Sequence, residues 1–225
     1  MNRPAHQTWL WAEGRRADSL MFLAALLAAF VLLSVLVHSP GMRRLDEQIT
    51  MRVQSVRRGW LDSIARAFTI AGNPGPLCVL AVIAGVILWR LGRPWAGVLG
   101  VLTMLGQPMN LGMKRISPRT RPEQGVIHVI LPAVGFSFPS GHAMVAAMFF
   151  GFLAMVAWIH LPDPGGRIAL TSTLALMPIA IGVSRIYLGA HWFSDVIAGW
   201  TAGLFCVLLL AGLYKTVGIT STPPH

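Results

Sequence analysis

The segment SRIYLGAHWFSDV, residues 184–196, places three ionisable side chains between two apolar stretches. Ionisable residues near the ends of membrane helices are costly to bury, which favours a functional role. His191 and Asp195 are four residues apart, a spacing that lets them face each other on a helix. A carboxylate that accepts a hydrogen bond from one ring nitrogen fixes the tautomer and leaves the other nitrogen free to attack. We therefore predict that His191 is a nucleophile with Asp195 as its partner, although the pair could be purely structural.

Three cations accompany this pair without matched carboxylates: Lys114 and Arg121 in KRISPRTRPEQ (114–124), and Arg185. The planar fork of Arg matches phosphate oxygens, and Lys adds a point charge. This grouping predicts a phosphate-binding site. Arg115 and Arg119 in the same stretch are expected to be solvated.

The stretch PSGH, residues 139–142, precedes an apolar run and is expected at a helix start. Free backbone N–H groups and the helix dipole favour an anion there. Gly141 allows close approach of the backbone, and Ser140 could bind phosphate, cap the helix or do both. His142 is a second histidine that could protonate a leaving oxygen as a general acid.

The composition is that of a membrane protein. Hydrophobic residues make up 55% of the 225 residues, charged residues 12%, and the mean hydropathy is +0.64. The formal net charge of +10 suits an anionic substrate or anionic lipid. Nucleic acid is excluded, because the basic residues lie between apolar runs rather than in a stripe. Six apolar runs predict an all-α bundle of six transmembrane helices, at 20–37, 76–91, 95–113, 143–159, 168–183 and 193–214.

Segment 42–70 differs, because apolar residues recur every three or four positions among six arginines. We predict an interfacial amphipathic helix between the first and second membrane helices. It could also gather anionic substrate lipids. The whole chain, 1–225, reads as one domain, with an N-terminal segment at 1–18 and a disordered tail at 215–225.

Six helices of alternating direction bring the candidate residues together. The ends of the third and fifth helices and the starts of the fourth and sixth share one face. Topology alone therefore predicts convergence of the set Lys114, Arg121, Ser140, Gly141, His142, Arg185, His191 and Asp195. No set of Cys, His and carboxylate residues has metal-site spacing, so we expect no metal and no cofactor.

Three motifs in this order carry a resemblance to a known family. They are Lys, six residues and Arg-Pro; then PSGH; then Ser-Arg, five residues, His, three residues and Asp. This pattern resembles the type 2 phosphatidic acid phosphatase superfamily of lipid phosphate phosphatases, in its bacterial integral-membrane branch. The resemblance implies a metal-independent phosphatase with a phosphohistidine intermediate. By position it implies a nucleophile at 191, its partner at 195, an acid at 142, and phosphate binding by residues 114, 121, 140, 141 and 185.

The substrate class stays open at this level. Undecaprenyl pyrophosphate, phosphatidylglycerol phosphate, phosphatidic acid and diacylglycerol pyrophosphate are all compatible with these motifs. A phosphotransferase that passes the phosphoryl group to another lipid would carry the same residues. A transporter or binding protein without chemistry would not need an acid and a paired nucleophile, and six membrane helices disfavour a soluble haloperoxidase with this type of site.

Location and partners follow from the same features. We expect a multi-pass protein of the inner (plasma) membrane whose partners are the bilayer and a lipid phosphate, with no obligate protein partner evident. The Lys and Arg count favours a cytoplasmic position for the 43–66 side, which also holds the active site. Bacterial relatives generally place this site on the outer face, and we adopt that orientation against the count.

Overall fold

The computed structural model of the chain describes residues 16–218, and within them all regular secondary structure is helical. This confirms the all-α prediction. The helices are α1 (Arg16–Leu36), α2 (Pro40–Gln54), α3 (Gly59–Ala71), α4 (Pro74–Arg90), α5 (Pro94–Leu102), α6 (Gly106–Ile116), α7 (Gly141–His160), α8 (Pro164–Tyr187) and α9 (Phe193–Gly218).

Four of these helices are long and apolar enough to cross a membrane: α1, α7, α8 and α9. A fifth candidate arises if α3 and α4, which meet at 58°, are counted as one broken span. The chain is therefore a membrane protein, and α1 and α7–α9 agree with four of the predicted helices.

The predicted span at 95–113 is interrupted in the structure. A 3₁₀ turn, Thr103–Leu105, separates α5 from α6. In a continuous helix Pro108 would have no N–H to give to the carbonyl four residues earlier and would clash with that carbonyl, and the structure instead begins α6 two residues before it. The break is thus a local consequence of a proline that the hydropathy pattern hides.

Helix α7 is the centre of the bundle and packs most extensively against α8 and α9. Its side chains Met144, Val145 and Phe152 are fully buried. Helix α9 approaches α7 closely at Gly203, where an added Cβ would lie 2.6 Å from the carbonyl oxygen of Met144. This close contact fixes the starts of α7 and α9 relative to each other, and both carry candidate site residues.

The predicted amphipathic helix at 42–70 is two helices, α2 and α3, separated by residues 55–58. Helix α2 buries a polar stripe, Asp46, Thr50 and Gln54, while its apolar Leu45 is 44% exposed. Because lipid lies outside a membrane protein, an apolar residue can face outward while polar side chains pair inside. The arginines of α2 stay exposed as expected, but a stripe of three polar residues beside them faces the protein.

The two ends of the chain are only partly described. Residues 1–15, most of the predicted segment 1–18, and residues 219–225 of the predicted tail lie outside the described range. Helix α9 continues to Gly218, so the first residues of that predicted tail are helical.

Candidate active site

The structure brings all eight predicted site residues together at one end of the bundle. A cavity of about 640 Å³ is lined by six of them: Lys114, Arg121, Gly141, His142, Arg185 and His191. Ser140 and Asp195 lie directly behind this lining and are fully buried. The backbone N–H of Ser140 donates to the carbonyl of Asp195 at 2.9 Å, which joins the start of α7 to the start of α9.

His191 lies in the loop between α8 and α9 rather than on the helix that its spacing to Asp195 suggests. The two residues are nevertheless neighbours, with Nδ1 of His191 at 3.4 Å from Oδ2 of Asp195. Asp195 is in the first turn of α9, and its Oδ2 accepts the backbone N–H of Trp192 at 2.9 Å. This bond folds the loop back over the helix start, so the pair forms across a turn.

The tautomer of His191 follows from its neighbours. Nε2 lies 3.2 Å from Nη1 of Arg121. A guanidinium can only donate hydrogen bonds, so Nε2 must accept and Nδ1 carries the hydrogen, directed toward Asp195. Burial lowers the pKa of His191 to about 3, although the hydrogen bond and charge of Asp195 act in the opposite direction. The imidazole is therefore neutral at pH 7, with a lone pair on Nε2.

Lys114 and Arg121 are anchored by one backbone segment, residues 134–137. Nζ of Lys114 donates to the carbonyls of Phe136 at 2.6 Å and Ser137 at 3.0 Å. Arg121 donates to the carbonyls of Gly135 at 3.0 Å and, across the cavity wall, Ala190 at 2.6 Å. These bonds aim both cations at the cavity and join the 117–140 loop to the loop that carries His191.

Two buried polar atoms at the site have no hydrogen-bond partner among the described residues: Oγ of Ser140 and Nε of Arg185. Ser140 occupies the N-cap position of α7, but its side chain makes no capping hydrogen bond. Capping therefore does not account for this serine. An unpaired buried donor calls for an explanation, and an oxyanion partner is a chemically suitable one for both atoms.

Gly141 lies too close to Asn110 for a side chain to fit at this position. A Cβ at this position would lie 2.8 Å from Oδ1 of Asn110, whose Nδ2 donates to the carbonyl of Pro139 at 3.2 Å. The glycine therefore lets α6 pack against the start of α7, which leaves the first N–H groups of α7 next to the cavity.

His142 has a partner that sequence reasoning missed. Its Nε2 lies 2.8 Å from Oδ1 of Asn73, in the break between α3 and α4. Gly72 allows this approach, because a Cβ there would lie 3.2 Å from Cδ2 of His142. The sequence shows GNPGP (72–76) only as a chain break, and no spacing rule links it to residue 142.

The prediction for Arg119 is wrong. This arginine is only 7% exposed, and Nη1 donates to Oδ1 of Asp195 at 2.7 Å while Nη2 donates to Oδ2 of Asp46 at 2.6 Å. Its partners lie more than 70 residues away in sequence, so no local pattern reveals them. Arg115, by contrast, is exposed at the cavity rim.

Ser137 completes the surroundings of the carboxylate. Its Oγ donates to Oδ2 of Asp195 and lies 3.4 Å from Nδ1 of His191.

Within residues 16–218 no group of three or more His, Cys, Asp or Glu side chains could hold a metal ion. The donors around the cavity are mainly cationic, a set that suits an anion.

The fold and the site together define an integral-membrane enzyme of phosphate chemistry. Residues 94–218 match the model of the PAP2 superfamily, and the chain belongs to that family. The family and its named phosphatases establish the chain as a lipid phosphate hydrolase.

Two curated relatives and one solved structure show the range of similarity. Phosphatidylglycerophosphatase B of Bacillus subtilis (strain 168) is 29% identical over 190 residues, which cover 84% of this chain and 92% of the relative. A lipid A 1-phosphatase of Rhizobium etli is 32% identical over 114 residues, covering 48% of this chain and 45% of the relative. The crystal structure of a transmembrane PAP2-type phosphatidylglycerolphosphate phosphatase from Bacillus subtilis superposes with a TM-score of 0.80. It has 27% identity and covers 87% of this chain and 96% of that chain.

Proposed function

We propose that this protein hydrolyses a phosphomonoester or pyrophosphate on a membrane lipid through a phosphohistidine intermediate. The substrate is of the phosphatidylglycerol phosphate, undecaprenyl pyrophosphate or phosphatidic acid type. One observation carries the proposal: Nε2 of His191, which lies 3.2 Å from Nη1 of Arg121, is in the wall of a cavity that also presents Lys114, Arg121 and Arg185.

The first step forms a bond between Nε2 of His191 and phosphorus. Nη1 of Arg121 first moves its hydrogen bond from Nε2 to a phosphoryl oxygen. The freed lone pair on Nε2 then attacks in line with the leaving oxygen, and the bond from phosphorus to that oxygen breaks. The leaving group is a lipid alcohol for a monoester and a lipid phosphate for a pyrophosphate. His142 gives its proton to the leaving oxygen, and a bound phosphate next to His142 favours the protonated imidazole that this role needs.

Asp195 supports the same step from the other side of the ring. As His191 is phosphorylated on Nε2, positive charge develops on the imidazole, and the Nδ1–H is directed toward the carboxylate. Asp195 therefore stabilises the positive charge on the ring and also holds His191 in the tautomer with its hydrogen on Nδ1.

The second step returns His191 to its starting form. A water molecule attacks the phosphohistidine, His142 accepts a proton from that water, and the bond between phosphorus and Nε2 breaks. Inorganic phosphate is released with the catalytic histidines back in their original protonation states. His142 thus serves as acid and then as base.

Charge in both transition states is spread over the equatorial phosphoryl oxygens. Lys114, Arg121 and Arg185 supply cations there, while Oγ of Ser140 and the first N–H groups of α7, beginning at Gly141, supply neutral donors. Oγ of Ser140 and Nε of Arg185 can bind oxygen without giving up another bond, because neither has a partner in the described chain.

The decisive experiment is a phosphate-release panel on purified lipid phosphates in detergent, without metal and with one lipid in each assay. Release of inorganic phosphate from a single lipid with no acceptor supports hydrolysis. Consumption of substrate only when a second lipid is added would identify a phosphotransferase instead. His191→Ala should be inactive, and His128→Ala, which changes an exposed histidine, serves as the matched control.

We further propose six membrane spans in one domain: α1, α4, the interrupted pair α5 and α6, α7, α8 and α9. The protein then belongs to the inner membrane with its active site on the outer face. A single cysteine in place of Val134, which is 95% exposed beside the cavity, tests that face in a chain lacking Cys78 and Cys206. A membrane-impermeant thiol reagent should label it on intact cells.

Leu91→Cys is the matched control for this labelling. Leu91 is 64% exposed just after α4, at the opposite end of that helix from Pro74 in the cavity lining. It should react only after lysis. The reverse pattern at the two positions would place the site on the cytoplasmic side, as the Lys and Arg count suggests.

A further inference from the structure

A chain of buried charges connects α2 to the catalytic loop. Arg119 lies between two carboxylates, with Nη1 at 2.7 Å from Oδ1 of Asp195 and Nη2 at 2.6 Å from Oδ2 of Asp46. Both carboxylates are fully buried. The planar guanidinium presents its donors in a fixed fork, so its two bonds set the angle between the two acids.

Asp46 also holds the start of α9 directly. Its Oδ1 accepts the backbone N–H of Ser194 at 2.8 Å, and its Oδ2 accepts Oγ of Ser194 at 2.6 Å. A carboxylate at a helix N-terminus satisfies a free N–H and complements the helix dipole. A residue of α2 therefore caps α9 at Ser194, the residue immediately before Asp195.

The two oxygens of the Asp195 carboxylate have different partners. Arg119 takes Oδ1, while Oδ2 accepts Ser137 and the N–H of Trp192 and faces Nδ1 of His191. The bond from Arg119 to Oδ1 restrains rotation of the carboxylate, in addition to the bonds that Oδ2 accepts. The oxygen that faces His191 is thus fixed from a distance by residues that do not touch the cavity.

We propose that Asp46 and Arg119 are a pair of positioning residues that hold Asp195 in the orientation that His191 needs for nucleophilic attack. Neither residue lines the cavity, and neither belongs to the eight motif residues. The inference rests on the proposed function of His191. It assigns to α2 a part in catalysis, beyond that of a helix at the membrane surface.

A purely structural ion pair is the alternative. Buried ion pairs contribute little net stability, because the cost of desolvation offsets the attraction between the charges. Removing one partner is nevertheless destabilising, because the other charge then stays buried without an opposite charge beside it. A single substitution could therefore lower activity simply by unfolding the chain. Asp46→Asn leaves Arg119 paired with Asp195, so neither of these two charges loses its opposite partner, and this variant separates the two roles.

The test compares Asp46→Asn, Arg119→Gln and the double variant with the unaltered protein. Each is purified in detergent, and its size-exclusion profile and melting temperature are recorded. For the single variants we expect kcat to fall about 10- to 100-fold, the range seen when a partner that orients a metal-ligating side chain is removed, because orientation is lost in the same way. The KM should stay close to that of the unaltered protein, since the phosphate-binding groups are unchanged. Asp46→Asn should fold and still show the lower kcat, and the double variant, in which Asp195 also loses the Arg119 cation, should lose at least as much.

Glu47→Gln is the matched control on the same helix. Glu47 forms an ion pair with Arg43 on the outer face of α2, and the Arg43 side chain is 62% exposed. Loss of this pair should change neither kcat nor the tautomer of His191.

A second readout does not depend on activity toward any lipid. Nitrogen-15 NMR of histidine-labelled protein reports the tautomer of His191, with its signals assigned by loss in His191→Ala. We expect the Nδ1–H form in the unaltered protein and a mixture of tautomers in Asp46→Asn. If the unaltered protein releases no phosphate from any lipid, the proposed function fails, and the tautomer result still stands. A folded Asp46→Asn with full kcat, or an unchanged His191 tautomer in that variant, would overturn the positioning role.

Discussion

Nε2 of His142 lies 2.8 Å from Oδ1 of Asn73, so the break between α3 and α4 contacts the proposed general acid. We expect Asn73→Ala to reduce kcat for lipid substrates about tenfold, because a partner that orients a catalytic group typically contributes 10- to 100-fold. The loss should depend on His142. In a His142→Ala background the same change should have little further effect, and full additivity of the two losses would contradict the assignment.

His142→Ala itself distinguishes the acid role from a binding role. General acid catalysis contributes about 10²- to 10⁴-fold, and this contribution shrinks as the leaving group becomes more acidic. We therefore expect a large loss on a lipid phosphate and a much smaller loss on an activated aryl phosphate. The comparison uses kcat/KM for both substrates with the same enzyme preparation. Equal losses on both would remove His142 from the acid role.

Ser140→Ala should weaken phosphate binding without weakening the fold. Oγ of Ser140 has no partner in the described residues, so its removal breaks no hydrogen bond within them. A hydrogen bond to a charged group contributes about 1.5–3 kcal/mol, which corresponds to roughly a 10- to 150-fold rise in the inhibition constant of phosphate or vanadate. The melting temperature should not fall.

Ser137→Ala is the matched comparison for Ser140→Ala. Its hydroxyl donates to the Asp195 carboxylate, so we expect a lower kcat with inhibitor binding retained. If the two serines gave the same pattern, the distinction between binding and orienting donors would be lost.

Chelators should leave activity intact, and orthovanadate should inhibit. The cavity presents Lys114, Arg121 and Arg185 to the phosphoryl oxygens, and these cations can do what a metal ion does in other phosphatases. Vanadate adopts the five-coordinate shape of the transition state and should bind tightly for that reason. Phosphate release is measured with EDTA, with added magnesium and with vanadate. Loss of activity in EDTA with recovery on magnesium would contradict this account.

The sequence was most informative where chemistry and periodicity act locally. Motif spacing selected His191, Asp195 and the cations as candidates, and alternating helices were enough to predict that they converge, as they do around one cavity. Prediction from the sequence failed where interacting residues are distant in the chain. Arg119 and Asp46 are 73 residues apart, and nothing local distinguishes a buried arginine from a solvated one in a polar loop.

Periodicity also misled in one respect. The apolar repeat of 42–70 was expected to face a membrane surface as one helix, whereas α2 presents its polar stripe to the protein. A repeat identifies two faces but does not say which neighbour each one meets. Hydropathy likewise predicted one continuous helix at 95–113. Pro108 alters the backbone there but hardly changes the mean hydropathy of the segment, so the break is not visible in the pattern.

The most direct test of the central claim is trapping of the phosphoenzyme. The purified protein is mixed with a ³²P-labelled lipid phosphate, quenched within the first turnover in alkali, in which phosphohistidine survives, and digested for mass spectrometry. We expect an acid-labile phosphoryl group on His191. It should be absent in His191→Ala and reduced in rate in Asp195→Asn, while His128→Ala behaves like the unaltered protein. Full phosphate release by His191→Ala, or a phosphoryl group found on His142 instead, would contradict it.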